Sequence, residues 1–159
     1  MDLEKILPQL MPLACQWAEE QSQYTLRNGT PLTGRDLDIA RNVGVSRPDL
    51  IRVLVVTAMP RPQHPLLAEA AEQLRFLRPD TQGLTLGYGI FVRIDCQRDR
   101  TLIAHECRHV YQYEQSGSIK SFLEVYVPDL LKFGYERCPL EVDACDAAGR
   151  CTFSWTSSL

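Results

Sequence analysis

Apolar residues at Leu10, Leu13, Ala14, Trp17 and Ala18 recur at three- and four-residue spacing, and residues 3–27 are mostly good helix formers. The pattern predicts an amphipathic helix, and Pro8 and Pro12, which suit a first turn, mark where it should begin. RNGTPLTG reads as a loop, followed by a short helix over 36–42 that Gly44 stops. The run LIRVLVV, residues 50–56, is rich in β-branched side chains and reads as a strand. Pro60, Pro62 and Pro65 stiffen the next connection, and LLAEAAEQLRFL then returns to helical spacing until Pro79.

Two short apolar runs follow in GLTLGYGIFVRID, split by Gly87-Tyr88-Gly89, which predicts a hairpin or a strand with a glycine bend. Residues 98–115 are helical in pattern, with Asp95 or Asp99 available as N-cap and Gly117 as the stop. A further helix is expected over 118–132, broken near Pro128, and a last one over 139–150 with Pro139 in its first turn. The sum is an α+β fold, mostly helical with a small β-sheet, and no internal repeat is visible.

A chain of 159 residues that is 45% hydrophobic can bury one core and is short for two, so a single domain over 1–159 is expected. Within it, residues 1–60 supply N-terminal helices and the first strand, and 64–150 carry the chemistry. The formal charge of -3 gives no general attraction to phosphate backbones or anionic membranes, so nucleic acid is not an expected partner. The first residues carry acids at Asp2 and Glu4 and lack the basic region and unbroken apolar stretch of an export signal. No run approaches the roughly 18 apolar residues of a membrane span. A cytoplasmic protein is therefore expected, with Cys15, Cys96, Cys107, Cys138, Cys145 and Cys151 as reduced thiols. No Cys-x-x-Cys occurs, which argues against a cysteine-rich metal site, and most of these residues are expected to be small buried hydrophobes.

The chemistry concentrates in Ala104-His105-Glu106-Cys107-Arg108-His109, a His-Glu-x-x-His inside a predicted helix. Four-residue spacing puts both imidazoles on one helix face, about 5–6 Å apart at Cβ, where two ring nitrogens can hold one metal ion. Glu106 leans to the side of that pair, in position to hold a water and act as general base rather than as a ligand. The ordinary alternative is a pair of surface histidines on a salt-bridged helix. Two of the chain's three histidines lying in one mid-helix motif favour the metal site. Catalytic zinc takes three protein ligands, so a third must come from another element. His64, in the proline-rich loop, is expected to be solvated. The better candidates are Glu141, early in a predicted helix, with Asp143 in reserve.

LIAHECRHVYQYEQSG followed by PLEVDACDAA resembles the gluzincin group of zinc metallopeptidases, small bacterial proteins among them. In that group the motif is completed by a Glu on a later helix, which in several families begins Glu-x-x-Ala-Asp, and Glu141 and Ala144 match this pattern. The resemblance spans about residues 84 to 150. It implies a minimal zincin-like architecture, Zn2+ held by His105, His109 and Glu141, and Glu106 as base. Two positions depart from the pattern: Cys145 stands where the related sequences place an Asp that orients a ligand histidine, and Arg108 occupies a position commonly uncharged.

Such a site hydrolyses peptide or amide bonds, because zinc polarises a carbonyl and lowers the pKa of its water toward about 7. Glu106 would take the proton and return it to the leaving amine. A peptide or protein substrate is implied, and GIFVRID resembles the zincin edge strand that holds an extended chain by β-addition, with an ordinary core strand as the alternative. Tyr88 or Tyr135 could stabilise the oxyanion, whereas Tyr111 and Tyr113 read as packing residues. Cys145, one turn after Glu141, is expected to be a buried thiol. Two other readings stand beside this one. The first is a zinc-binding protein without turnover. The second is a helix-turn-helix over residues 39–47, against which Pro48, the following strand and the negative charge all count.

Overall fold

The computed structural model describes residues 1–149. Helix α1, Leu3–Asn28, starts ahead of both prolines and carries Pro8 and Pro12 inside it, rather than starting at either. Each proline removes one main-chain hydrogen bond from the helix. Packing offsets the loss: Leu3, Leu10, Ala18, Ser22 and Thr25 are buried, and the helix lies against residues 52–56, 65–73, 89–93 and 119–133. Asp2 caps its first turn by accepting from the Lys5 amide.

Four strands, β1 (Thr30–Pro31), β2 (Arg52–Val56), β3 (Gly83–Leu86) and β4 (Gly89–Arg93), form one sheet in the order β1-β2-β4-β3. β2 and β4 run parallel, joined through α3 (Pro65–Gln73), and the other pairs are antiparallel. The hairpin between β3 and β4 turns on Gly87, whose φ of +65° favours glycine. GIFVRID is therefore not the edge strand. Its residues form β4, an interior strand in which Ile90, Phe91 and Val92 are fully enclosed. The edge next to the motif helix is β3. Its pairing of Leu86 with Gly89, and of the Gln82 carbonyl with the Arg93 amide, leaves the main-chain groups of Gly83 and Thr85 on the free side.

Helix α2, Arg35–Asn42, is followed by a 3-10 turn at Pro48–Leu50 and then by β2. The helix-turn-helix reading has no recognition helix to use, because between Gly44 and β2 the chain forms only that 3-10 turn. Helix α4, Arg100–Ser116, carries the motif. Asp99 caps it by accepting from the Thr101 and Leu102 amides at 3.0 and 3.1 Å, and Gly117, at φ +87°, ends it. Helix α5, Ile119–Phe133, continues through Pro128 instead of breaking there, held by buried Ile119, Phe122, Leu123, Tyr126 and Leu130. A 3-10 turn, Tyr135–Arg137, leads into α6, Pro139–Ala147, with Pro139 in its first turn. None of the described helices is long and apolar enough to cross a membrane.

These elements fix α4 from two sides. One face, through Leu102, Ile103, Cys107 and Val110, packs with Val43, Ile51, Ile90 and Val92. The other sets Tyr113 among Phe91 and Phe122, its ring stacked on Phe122 at 3.8 Å. Among the described cysteines, Cys107, Cys138 and Cys145 are buried, and Cys15 and Cys96 are partly so. Cys151 lies outside the described residues. Because the motif helix depends on its cap, Asp99→Ala should lower unfolding free energy by about 1 kcal/mol in urea denaturation. An unchanged midpoint would show that the cap contributes nothing.

Candidate metal centre

Helix α4 presents His105 and His109 one turn apart, and α6 brings Glu141 across to them. His105 Nε2 lies 3.1 Å from His109 Nε2 and 3.2 Å from Glu141 Oε2, and His109 Nε2 is 3.3 Å from the same oxygen. The three atoms form a nearly equilateral triangle. A tetrahedral ion held at ~2.0–2.1 Å spaces its ligand atoms about 3.3–3.4 Å apart, so the triangle fits a single metal ion. All three residues are buried, with 4%, 7% and 5% of their surface exposed. A carboxylate this enclosed requires a positive partner.

The neighbours orient each ligand. Tyr126 Oη donates to Glu141 Oε1 at 2.6 Å, which turns Oε2 toward the imidazoles. Gln112 Nε2 donates to the Leu140 carbonyl at 2.9 Å and to Asp143 Oδ2 at 2.8 Å. Its Oε1 must therefore accept from His109 Nδ1, 2.8 Å away, and this leaves the Nε2 lone pair for an ion. Asp143, the reserve ligand, does not join the triad. It is held by Arg108 through two contacts of 2.9 and 3.1 Å, and Arg108 also donates to the Val43 carbonyl at 2.7 Å. Arg108 thus serves the fold by tying α6 and the end of α2 to the motif helix. Cys145 Sγ lies 3.7 Å from His105 Nδ1, so the thiol occupies the place where an orienting carboxylate was expected.

Glu106 stands apart from the triangle. Thr85 Oγ1 donates to its Oε2 at 2.6 Å, and Gly83 gives it room, since a Cβ there would lie 2.5 Å from Oε1. Two cavities of about 30 Å³ each flank this carboxylate, one bordered by Thr85, His109, Tyr135 and Glu141, the other by His105 and Tyr135. Either has room for a water. Of the two tyrosines offered by the sequence for the oxyanion, Tyr135 is at the site, and its phenol is pushed well above its ordinary pKa by burial, by the Glu141 and Glu106 charges and by a hydrogen bond to Glu141. Tyr88 is not there: its hydroxyl donates to Glu114 at 2.8 Å, and burial followed by that bond raises it to about 12. Tyr111 lies beneath the Arg108 guanidinium, 4.0 Å from ring centre to Cζ. Tyr113 borders the first cavity but is spent on stacking with Phe122. His64 sits exposed at the start of α3, outside the triad.

Sequence reasoning passed over Thr85, Gly83, Tyr126 and Gln112. Gln112 had a readable signal, because a residue three positions after His109 shares its helix face. The other three reach the site only through tertiary packing. No family model matches the chain, and neither does any curated protein or solved structure.

Metal titration should show one equivalent bound by the wild type and by Asp143→Asn, and none by His105→Ala or Glu141→Ala. Uptake by Glu141→Ala at wild-type affinity would refute the triad.

In the metal-free protein, burial lowers the His109 pKa but the adjacent Glu141 carboxylate more than reverses this, raising it from 6.5 to about 9. Glu141, although burial pushes it up, is held well below its usual 4.5 by His109 and His105. The raised histidine contributes stability that is complete below pH 6.5 and lost as pH climbs through about 9. The depressed carboxyl contributes stability present above pH 4.5 and lost on acidification below it. Melting temperature without metal should therefore decline from pH 6.5 to 9, while the stabilisation by added ion grows over that interval as it displaces the His109 proton. A flat metal-free profile there would count against the pair.

Proposed function

We propose that this protein is a gluzincin-like zinc hydrolase of peptide or amide bonds, with zinc held by His105, His109 and Glu141 and Glu106 as general base. The observation that carries this reading is the separation of roles among four buried polar groups. Three converge on one point, and the fourth, Glu106, is held beside it by Thr85 and faces water-sized cavities. Two imidazoles and one carboxylate at these spacings suit zinc better than the harder oxygen-preferring cations. Zinc, when bound, supplies a Lewis acid for the carbonyl and acidifies water toward a pKa of about 7.

The chain's own residues do the rest. Glu106 takes a proton from water in the adjoining cavity and delivers it to the departing amine, with Thr85 keeping the carboxylate aimed. Tyr135, kept protonated by its surroundings, donates to the oxygen on which negative charge develops by turning its single hydroxyl proton from Glu141 to that oxygen. The main-chain groups of Gly83, unpaired with β4 at the partly exposed end of β3, offer hydrogen bonds to an extended substrate next to the site. The closest competing reading, zinc binding without turnover, rests on how deeply the three ligands are buried.

Hydrolysis of a mixed peptide library by the zinc-loaded protein separates the two. Wild type should cleave, and Glu106→Gln should keep its zinc while losing about 10²–10⁴-fold in rate. Stoichiometric zinc with no cleavage of any peptide by the wild type would establish the non-catalytic reading. Gly83→Ala should also retain zinc yet lose most activity, because the added methyl displaces Glu106.

A further inference from the structure

We infer that the substrate carries a carboxylate close to the scissile bond and that Arg75, Arg78 and Arg137 receive it, an inference that rests on the hydrolase reading above. The cavity that contains His105 and Glu106 is also bordered by Arg75 and Arg78, and a groove of about 290 Å³ continues outward from it. Arg75, Arg78 and Tyr135 line both spaces, and Arg137 and Phe133 close the outer one. A chain whose formal charge is -3 thus gathers three arginines around the approach to its metal site, facing a single acid of the groove, Glu136.

The charge is largely uncommitted. Arg78 engages Asp80 through Nε at 3.1 Å, whereas Arg75 and Arg137 have no ion pair or hydrogen bond to another described side chain. Arginine offers a planar fork of donors that matches a carboxylate in two parallel bonds. The backbone at Arg75 adds a second reason. Helix α3 ends with the Arg75 amide on the Glu72 carbonyl and the Phe76 amide on the Ala71 carbonyl, which places Arg75 at φ +57°. That left-handed position is where glycine fits best, and Arg75 is the sole non-glycine residue with positive φ in the described chain. A side chain retained there against backbone preference points to a use for its guanidinium.

The anion could come from the C-terminal carboxylate of a peptide or from an Asp or Glu side chain, and the chemistry of recognition is the same. Calorimetry on the zinc-loaded Glu106→Gln protein distinguishes them with three peptides of one sequence: free C-terminus, amidated C-terminus, and amidated with an added Asp. At least one carboxylate-bearing peptide should bind roughly tenfold or more tighter than the plain amide. The peptide that gains identifies the source. Arg75→Gly, which suits the backbone and so keeps the fold, and Arg137→Gln should each erase much of that advantage. Arg41→Gln, whose arginine pairs with Asp38 on α2, should leave it intact.

Equal binding of all three peptides overturns the inference, as does an advantage that survives in the Arg75→Gly/Arg137→Gln double variant. Displacement of the peptides by inorganic phosphate at lower concentration than by acetate also overturns it, in favour of a phosphate site. Cleavage of the amide by wild type with no carboxylate preference leaves the hydrolase standing without this groove. A carboxylate preference with no cleavage by wild type leaves the anion groove and removes the hydrolase.

Discussion

The structure turns on one buried negative charge. Glu141 is almost wholly withdrawn from water, and its Oε2 meets two imidazole nitrogens on a neighbouring helix at 3.2 and 3.3 Å. A carboxylate in such a place is tolerable only opposite positive charge, whether protons on the histidines or a metal ion. Helices α4 and α6 must therefore dock in one register. The contacts around the triad enforce it: Gln112 reaches from α4 to two groups of α6, and Arg108 grips Asp143 on the same helix. The polar residues of this interface act together, since each satisfies a group that another would leave exposed to an apolar interior.

Much of this was legible beforehand. The i, i+4 histidines and the stop at Gly117 follow from local rules and appear where the rule puts them, while the structure takes Asp99 rather than Asp95 as the cap and a hairpin at Gly87 rather than a glycine bend. Glu141 was readable because an acid early in the last helix can reach back across the turn that precedes it. Local rules failed where packing overrides them. Pro8, Pro12 and Pro128 lie inside helices because buried faces on α1 and α5 compensate for the lost main-chain bonds. Whether GIFVRID was an edge or a core strand stayed open because periodicity gives no strand order, and the parallel pairing of β2 with β4 decides for the core strand and puts β3 at the edge.

The two departures from the resembled pattern have different explanations. Arg108 is neither a solvated oddity nor a perturbation of the ligands; it is an anchor between three helices, with Tyr111 packed under its plane. Cys145 stands against His105 Nδ1, where sulfur is a weaker hydrogen-bond partner than a carboxylate. His109 is fixed through Gln112, whose own amide is anchored on α6.

The bond from Tyr126 to Glu141 has a consequence for coordination number. Since Oε1 accepts from a phenolic hydroxyl at 2.6 Å, Oε2 is the oxygen that Glu141 turns toward the imidazoles, and binding of a cation through that oxygen alone is favoured. A carboxylate free to swing could chelate with both oxygens and crowd the ion's remaining vertex. By holding one oxygen, a tyrosine from a helix that contributes no ligand would leave a bound ion more room for an exchangeable molecule.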